Sequence, residues 1–349
     1  MNIITIIVAI LCFGIIIMLH EAGHFFIAKK SGIRVLEFSI GMGPAIISRK
    51  KGETKYSLRA FPIGGYCAME GEDDNSDDPR AFRKAPVWKR MLVTVAGATM
   101  NLILGLILIL AVTCMDTSVY STTVADFFTN ADGEVVSSSA QWLQPDDRFI
   151  SINGLKIYTA MDISYALQND DCDTFTVVVE RGGQKVTLEN VEFLNKETKK
   201  MLDFRIYGLD KTVGNVASYT CRQFVSTARL IWISLRDLIR GKYGFHDLSG
   251  VVGIVDTAVE AVEAKETFHD KAMNLMDLMS FITINVGIFN LIPFPALDGG
   301  RLVFLIIEAI RRKQIPAHIE GMIHFVGLAV LMILMIAVTF QDIAKIFQR

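Results

Sequence analysis

His20-Glu21-Ala22-Gly23-His24, read as HEAGH, closes an apolar run that begins at the first residue. On a helix, positions four apart share one face, so His20 and His24 can offer two imidazole nitrogens to a single zinc ion. Glu21, one step round, can take a proton from the attacking water. The competing reading is a pair of ordinary histidines at a helix end. Position argues against it, because ionisable side chains placed directly after an apolar run are costly in lipid unless they are paired or metal-bound. Two imidazoles are half of a hydrolytic site, and zinc needs a third protein ligand.

The chain around this motif has 349 residues, 51% of them hydrophobic and 21% charged, with a mean hydropathy of +0.39. Those values require membrane spans alternating with a water-soluble part. A net charge of -2 gives no reason to expect nucleic acid as a partner. The five cysteines, Cys12, Cys67, Cys114, Cys172 and Cys221, are scattered without CxxC spacing, which suggests neither a disulfide framework nor a cysteine metal site. The opening run lacks a basic leader and a small-residue cleavage point, so it reads as a retained first membrane helix rather than a signal peptide.

That first span is expected over Ile3 to Ala28. Basic residues then recur from Lys29 to Arg90, marking the cytoplasmic side and putting the amino terminus outside. Within this loop, Val35 to Ser48 and Tyr56 to Ala68 carry β-branched and aromatic residues punctuated by glycine and proline. They are expected as short hairpins, apolar enough to dip into the membrane. Glu70 to Asp78 reads as a solvated acidic loop without calcium-site spacing. A second span is expected over Met91 to Cys114. Its Gly97-Ala98-Thr99-Met100-Asn101 stretch offers small residues for close helix approach and one amide at membrane depth. Asn101 either bonds a neighbouring helix or helps to line the site as a substrate-binding residue.

From Thr117 to Asp210 the composition turns soluble, with β-like runs at Phe175 to Glu180, Lys185 to Leu188 and Phe204 to Tyr207 and a helix over Ala160 to Gln168. Leu143 to Gly154, followed by that helix, resembles a PDZ domain. The usual Gly-Asp of that stretch is Asp146-Asp147 here. Tyr219 to Lys242, with Arg222, Arg229 and Arg236, suggests an amphipathic helix at the membrane surface. His246 and His269 read as plain surface residues.

A third span, Leu275 to Leu297, leads into Asn290-Leu-Ile-Pro293-Phe-Pro295-Ala-Leu-Asp298-Gly299-Gly300. Two prolines break a helix and free backbone groups, and two glycines permit an unusual turn beside an aspartate. Asp298 could be a mere helix cap, but a carboxylate in such a setting is functional by default. Thr283, Gly287 and Asn290 share a helical face that could form a polar stripe leading to it. A fourth span is expected over Ile323 to Phe340, ending outside, and His318 and His324 are not expected to be ligands.

HEAGH, Pro62 to Tyr66, the PDZ-like insert and NLIPFPALDGG together resemble the site-2 protease family of intramembrane zinc metalloproteases, in its bacterial form with one PDZ domain. The resemblance implies one zinc ion held by His20, His24 and Asp298, with Glu21 as catalytic base and Asn290 helping to hold substrate. It implies a polytopic α-helical membrane protein of about four spans, with a membrane-associated β-hairpin region and an inserted PDZ-like α+β domain. The expected divisions are 1–116 and 275–349 for the membrane core, 117–210 for the extracytoplasmic domain, and 211–274 for the surface helix and linker. Substrates would be single-span proteins in the lipid bilayer, such as anti-sigma factors or signal-peptide remnants. Ala98 stands where many members carry proline, and Ser249 to Gly253 departs from the family version, which weakens substrate-positioning roles but touches no ligand. A silent helix-binding scaffold and a metal transporter are the rival classes. Structural zinc has no use for Glu21, and a single polar cluster is not a path across a bilayer.

Overall fold

A computed structural model describes residues 3–72, 74, 76–169, 172–195, 202–242, 244, 253 and 267–348. His246 and most of Ser249 to Gly253 lie outside these. The chain forms two compact units, residues 1–108 with 234–349, and residues 109–233.

In the first unit, α1 (Ile3–Lys30) is apolar along its length and ends in Lys29 and Lys30, cations that suit the negative end of the helix dipole. Gly32, at φ +79°, stops it. The Ile33 amide returns to the Ala28 carbonyl at 3.0 Å and the Gly32 amide to Lys29 at 3.1 Å, the paired bonds of a glycine-terminated helix. The chain then makes β1 (Val35–Lys51) and β2 (Thr54–Met69). These are longer than the hairpins expected, and they fold back on themselves. Glu37 to Ile40 pairs with Gly65 to Ala68 on one side and with Lys55 to Leu58 on the other, while Ala45 to Lys51 pairs with Thr54 to Arg59. Gly65 to Ala68 therefore has a strand neighbour on one side only, among the described residues.

The next helix, α2 (Val87–Met115), packs closely on α1 because glycines stand at the contact, Gly23 on α1 and Gly97 on α2. A Cβ on Gly23 would lie 2.5 Å from the Ala96 carbonyl oxygen. Gly105 makes the same allowance for α5 (Phe268–Asn290), where a Cβ would meet Ile284 at 2.3 Å. The third span was expected to run to Leu297, but the helix stops at Asn290. Pro293 and Pro295 cannot continue the hydrogen-bond ladder, and the chain turns before restarting as α6 (Asp298–Arg311). At the start of α2, Arg90 is buried and makes a bidentate pair with Glu308 of α6. A final helix, α7 (Ala317–Gln348), extends well beyond the span expected at either end. Among the described residues, four helices are long and apolar enough to cross a membrane: α1, α2, α5 and α7.

The acidic tract is not simply solvated. Asp78 pairs with Arg34 at 2.8 Å, Glu70 accepts the Ser76 hydroxyl at 2.6 Å, and Glu72 pairs with Arg301.

The second unit is a sheet in the order β7-β6-β4-β3-β8, with β5 on β4. Its strands are β3 (Val119–Phe127), β4 (Arg148–Ile152), β5 (Leu155–Lys156), β6 (Phe175–Arg181), β7 (Gln184–Val191) and β8 (Phe204–Leu209). Phe149, Phe175, Phe193 and Phe204 fill its core with Leu143, Ile152 and Leu167. Asp146 occupies the left-handed region at φ +71°, a conformation aspartate tolerates better than most residues, so it can stand in a place that otherwise suits glycine. Asp147 is fully buried and accepts from Nε and Nη2 of Arg181 at 2.8 and 2.7 Å. The helix α3 (Ala160–Gln168) starts where expected. Against it lies α4 (Val213–Ile239), whose Arg229 donates to buried Asp162 at 2.6 Å and stacks 4.5 Å from the Tyr158 ring centroid. One of its three arginines is thus committed to this unit.

Candidate metal centre

The first unit brings His20, His24 and Asp298 to one point, although they stand at opposite ends of the chain. Nε2 of His20 and Nε2 of His24 are 3.2 Å apart, and Asp298 Oδ2 lies 3.3 Å from the first and 3.4 Å from the second. Four ligands tetrahedrally arranged about 2.0–2.1 Å from zinc stand about 3.3–3.4 Å from one another. The three separations match three edges of such a tetrahedron. Among the described residues, Asp298 Oδ2 is buried without a hydrogen-bond partner. Two imidazole nitrogens and a carboxylate oxygen at such distances need a proton or a metal cation between them. The donor set fits a divalent zinc ion.

Local sequence explains each placement. His24 Nδ1 donates to the Val93 carbonyl oxygen at 2.8 Å, which leaves Nε2 bare for a metal. Gly97 of α2 lies against both rings, and a Cβ there would be 2.4 Å from His24 Nε2 and 2.8 Å from His20 Nε2. Asp298 opens α6, and the two glycines after it let that turn tuck into the proline loop. A Cβ on Gly299 would meet the Ile292 carbonyl oxygen at 2.2 Å, and one on Gly300 the Phe294 oxygen at 2.3 Å. Ala296, at φ +77°, takes a left-handed turn rare for alanine, and its amide donates to His324 Nδ1 at 2.9 Å. His324 thus braces the loop rather than the metal.

A cavity of about 420 Å³ opens beside the three ligands, lined by Glu21, Tyr66, Met69, Glu72, Asn290 and Arg301 among others. Glu21 packs under β2, where a Cβ on Gly65 would lie 3.3 Å from its Cγ. Of the stripe expected on α5, only Asn290 reaches this cavity. Thr283 is buried and donates to the Asn101 carbonyl oxygen at 3.2 Å, and Gly287 faces Ala98 and Leu102 of α2. Asn101 itself is fully buried behind His20, with its amide 3.3 Å from Nδ1, and it does not line the cavity. Cys67 does line it, but burial pushes its thiol pKa up and the nearby Glu72 and Glu21 carboxylates add to the shift, so the thiolate needed for cysteine catalysis is suppressed.

Sequence reading did not find Glu72, Arg301 or Gly65 at the site. Glu72 sits in a turn, Gly65 in a strand and Arg301 in the first turn of α6, and no local pattern reveals what any of them meets. Gly97 carried a signal, since a glycine within an apolar helix marks a close approach, but not what approaches.

This arrangement of a membrane-helix HExxH and a distant aspartate defines a metal-dependent peptidase embedded among apolar helices. Residues 8–334 match the family described as "Peptidase family M50". The chain belongs to that family, the site-2 protease family of zinc metalloproteases, and it is a zinc metalloprotease. It is 34% identical over 346 residues to a protein of Clostridium acetobutylicum provisionally named a zinc metalloprotease, an alignment covering 98% of each chain. A similarly named protein of Clostridium perfringens is 34% identical over 342 residues, covering 97% of this chain and 98% of its own. The "Regulator of sigma-W protease RasP" of Bacillus subtilis is 29% identical over 427 aligned positions, covering 98% and 99%.

Proposed function

We propose that this chain cleaves membrane-spanning segments of single-span proteins within the lipid bilayer, with His20, His24 and Asp298 holding zinc and Glu21 acting as catalytic base. The observation that carries the reading is the set of three ligand atoms 3.2–3.4 Å apart, with Glu21 next to them in the same cavity. Bound there, zinc would supply Lewis acidity to the scissile carbonyl and lower the pKa of water towards about 7. Glu21 takes the proton of the attacking water and delivers it to the leaving amine nitrogen. Asn290, at the cavity wall, offers an amide to the substrate backbone.

A helical substrate hides its carbonyls in i to i+4 hydrogen bonds and must be unwound before it is cut. The one-sided edge of Gly65 to Ala68, beside Glu21, suits that task, because an extended substrate segment could add to it as a further strand. Met42, Ile46, Ile47 and Phe61 stand exposed on the β1–β2 hairpins, which favours lipid over water around them and supports a membrane-dipping region. The basic loop between α1 and α2 supports a cytoplasmic position for the site, with both termini outside. The second unit would then be the extracytoplasmic PDZ-like domain. Its position in the chain between α2 and α5 suits a size filter that admits substrates already trimmed outside. The division at 117–210, the surface role of α4 and linker 211–274, and the membrane core 1–116 with 275–349 belong to the same proposal. Anti-sigma factors and signal-peptide remnants are the substrate classes that the family resemblance implies, and the Bacillus subtilis relative is named for the regulation of sigma-W.

Glu21→Gln in the purified chain tests the chemistry. Zinc should stay at one per chain while cleavage of a single-span substrate falls by at least about a hundredfold. Unchanged cleavage would remove Glu21 from the reaction. A silent scaffold predicts no cleavage by the wild type, and a transporter predicts zinc flux into vesicles.

A further inference from the structure

We propose that Asn101 is a positioning residue for the metal, its side-chain oxygen accepting the Nδ1–H of His20 so that Nε2 stays bare. The inference rests on the metal reading given above and gives Asn101 a role other than contact with substrate. A neutral imidazole carries one N–H. If His20 is to ligate through Nε2, the atom that faces Asp298 and His24, the proton must sit on Nδ1, and whatever meets Nδ1 must be an acceptor. His24 solves the same problem with the Val93 carbonyl oxygen, 2.8 Å from its Nδ1. Among the described residues, no backbone carbonyl meets His20 Nδ1, whose partner is the Asn101 amide nitrogen, 3.3 Å away.

Asn101 presents either its oxygen or its nitrogen to the ring, and half a turn about the last torsion exchanges them. With the nitrogen inward, two donors meet once His20 binds metal. With the oxygen inward, Nδ1–H has its acceptor. The number of bonds on the other amide atom is unchanged by the exchange, since among the described residues Oδ1 is buried without a partner in the present orientation. The metal-ready tautomer therefore decides the orientation. The backbone of Asn101 is also pinned, its carbonyl oxygen accepting the Thr283 hydroxyl at 3.2 Å. That bond ties the residue behind His20 to α5, the helix whose end leads to Asp298. Side chains that orient metal-bound histidines typically contribute a factor of about 10–100 in metal affinity.

The test is zinc affinity of the full-length chain in detergent, measured by competition with a chelator, for Asn101→Leu, Asn101→Asp and His20→Ala. Asn101→Leu should bind about 10–100-fold more weakly. Asn101→Asp keeps an acceptor and should stay within a few-fold of the wild type. A purely structural asparagine would reverse that order, because a carboxylate buried in a span disturbs packing more than a leucine of similar size. Wild-type affinity in Asn101→Leu, or a loss in Asn101→Asp as large as in Asn101→Leu, overturns the proposal. Should the leucine variant not fold, the aspartate variant decides alone, and it must bind as the wild type does. His20→Ala separates the two levels: if it keeps wild-type affinity, the metal reading fails, whereas if it loses zinc while Asn101→Leu does not, only the role of Asn101 falls.

Discussion

Gly97 sets how near α2 can come to the two imidazoles. A methyl group there would sit 2.4 Å from His24 Nε2 and 2.8 Å from both Cε1 and Nε2 of His20, so one of the two rings would have to move. Gly97→Ala should therefore push one ligand out of place. Losing one protein ligand of a zinc site weakens binding by at least about a hundredfold, which chelator competition would register, and unaltered affinity would refute the close contact. Glu37 makes a different prediction. Burial raises its carboxyl, but bonds from Ser57, Arg59 and Tyr66 outweigh that and hold it down to about 2, against 4.5 for a free glutamate. A carboxyl depressed on folding stabilises the folded form fully above its unfolded value and less as pH falls towards the folded one. Protection of the Phe38 to Ile40 amides against hydrogen exchange, corrected for intrinsic rates, should thus decline from pH 5 to pH 3. In Glu37→Gln it should be lower at pH 5 and flat across that range.

At the scale of elements, the proline-broken end of α5 does the positioning. Asn290 ends one helix, Asp298 begins the next, and the loop between them is braced by the Ala296 amide on His324. His324→Leu removes that acceptor and should lower zinc affinity about tenfold or more without touching a ligand. Retained affinity would mean that the prolines alone hold the turn. Much of this was legible in the sequence. HEAGH has helical spacing, and two prolines before an aspartate and two glycines announce a break, because local sterics dictate both. The helix end at Asn290 was misplaced since apolarity continues to Leu297 after the hydrogen-bond ladder has failed. Glu72 read as solvated and Asn101 as undecided for a related reason: their partners, Arg301 and His20, are remote in sequence, and no periodicity encodes a pairing of that kind.

For the whole molecule, the two units carry separate cores and should respond separately to damage. Arg181→Met would leave buried Asp147 without its cationic partner, at a penalty of about 3–5 kcal/mol. Protease susceptibility within residues 119–209 should rise while zinc content stays at one per chain. Loss of zinc in that variant would mean that the two units unfold together. The metal centre, by contrast, draws on both ends of the first unit, and it exists only if α1 and the start of α6 meet. The most direct test is the zinc content of Asp298→Ala after exhaustive dialysis against a mild chelator, beside the wild type treated alike. We predict one zinc per chain in the wild type and almost none in the variant, and a variant that keeps its full equivalent of tightly bound zinc would contradict a site shared by His20, His24 and Asp298.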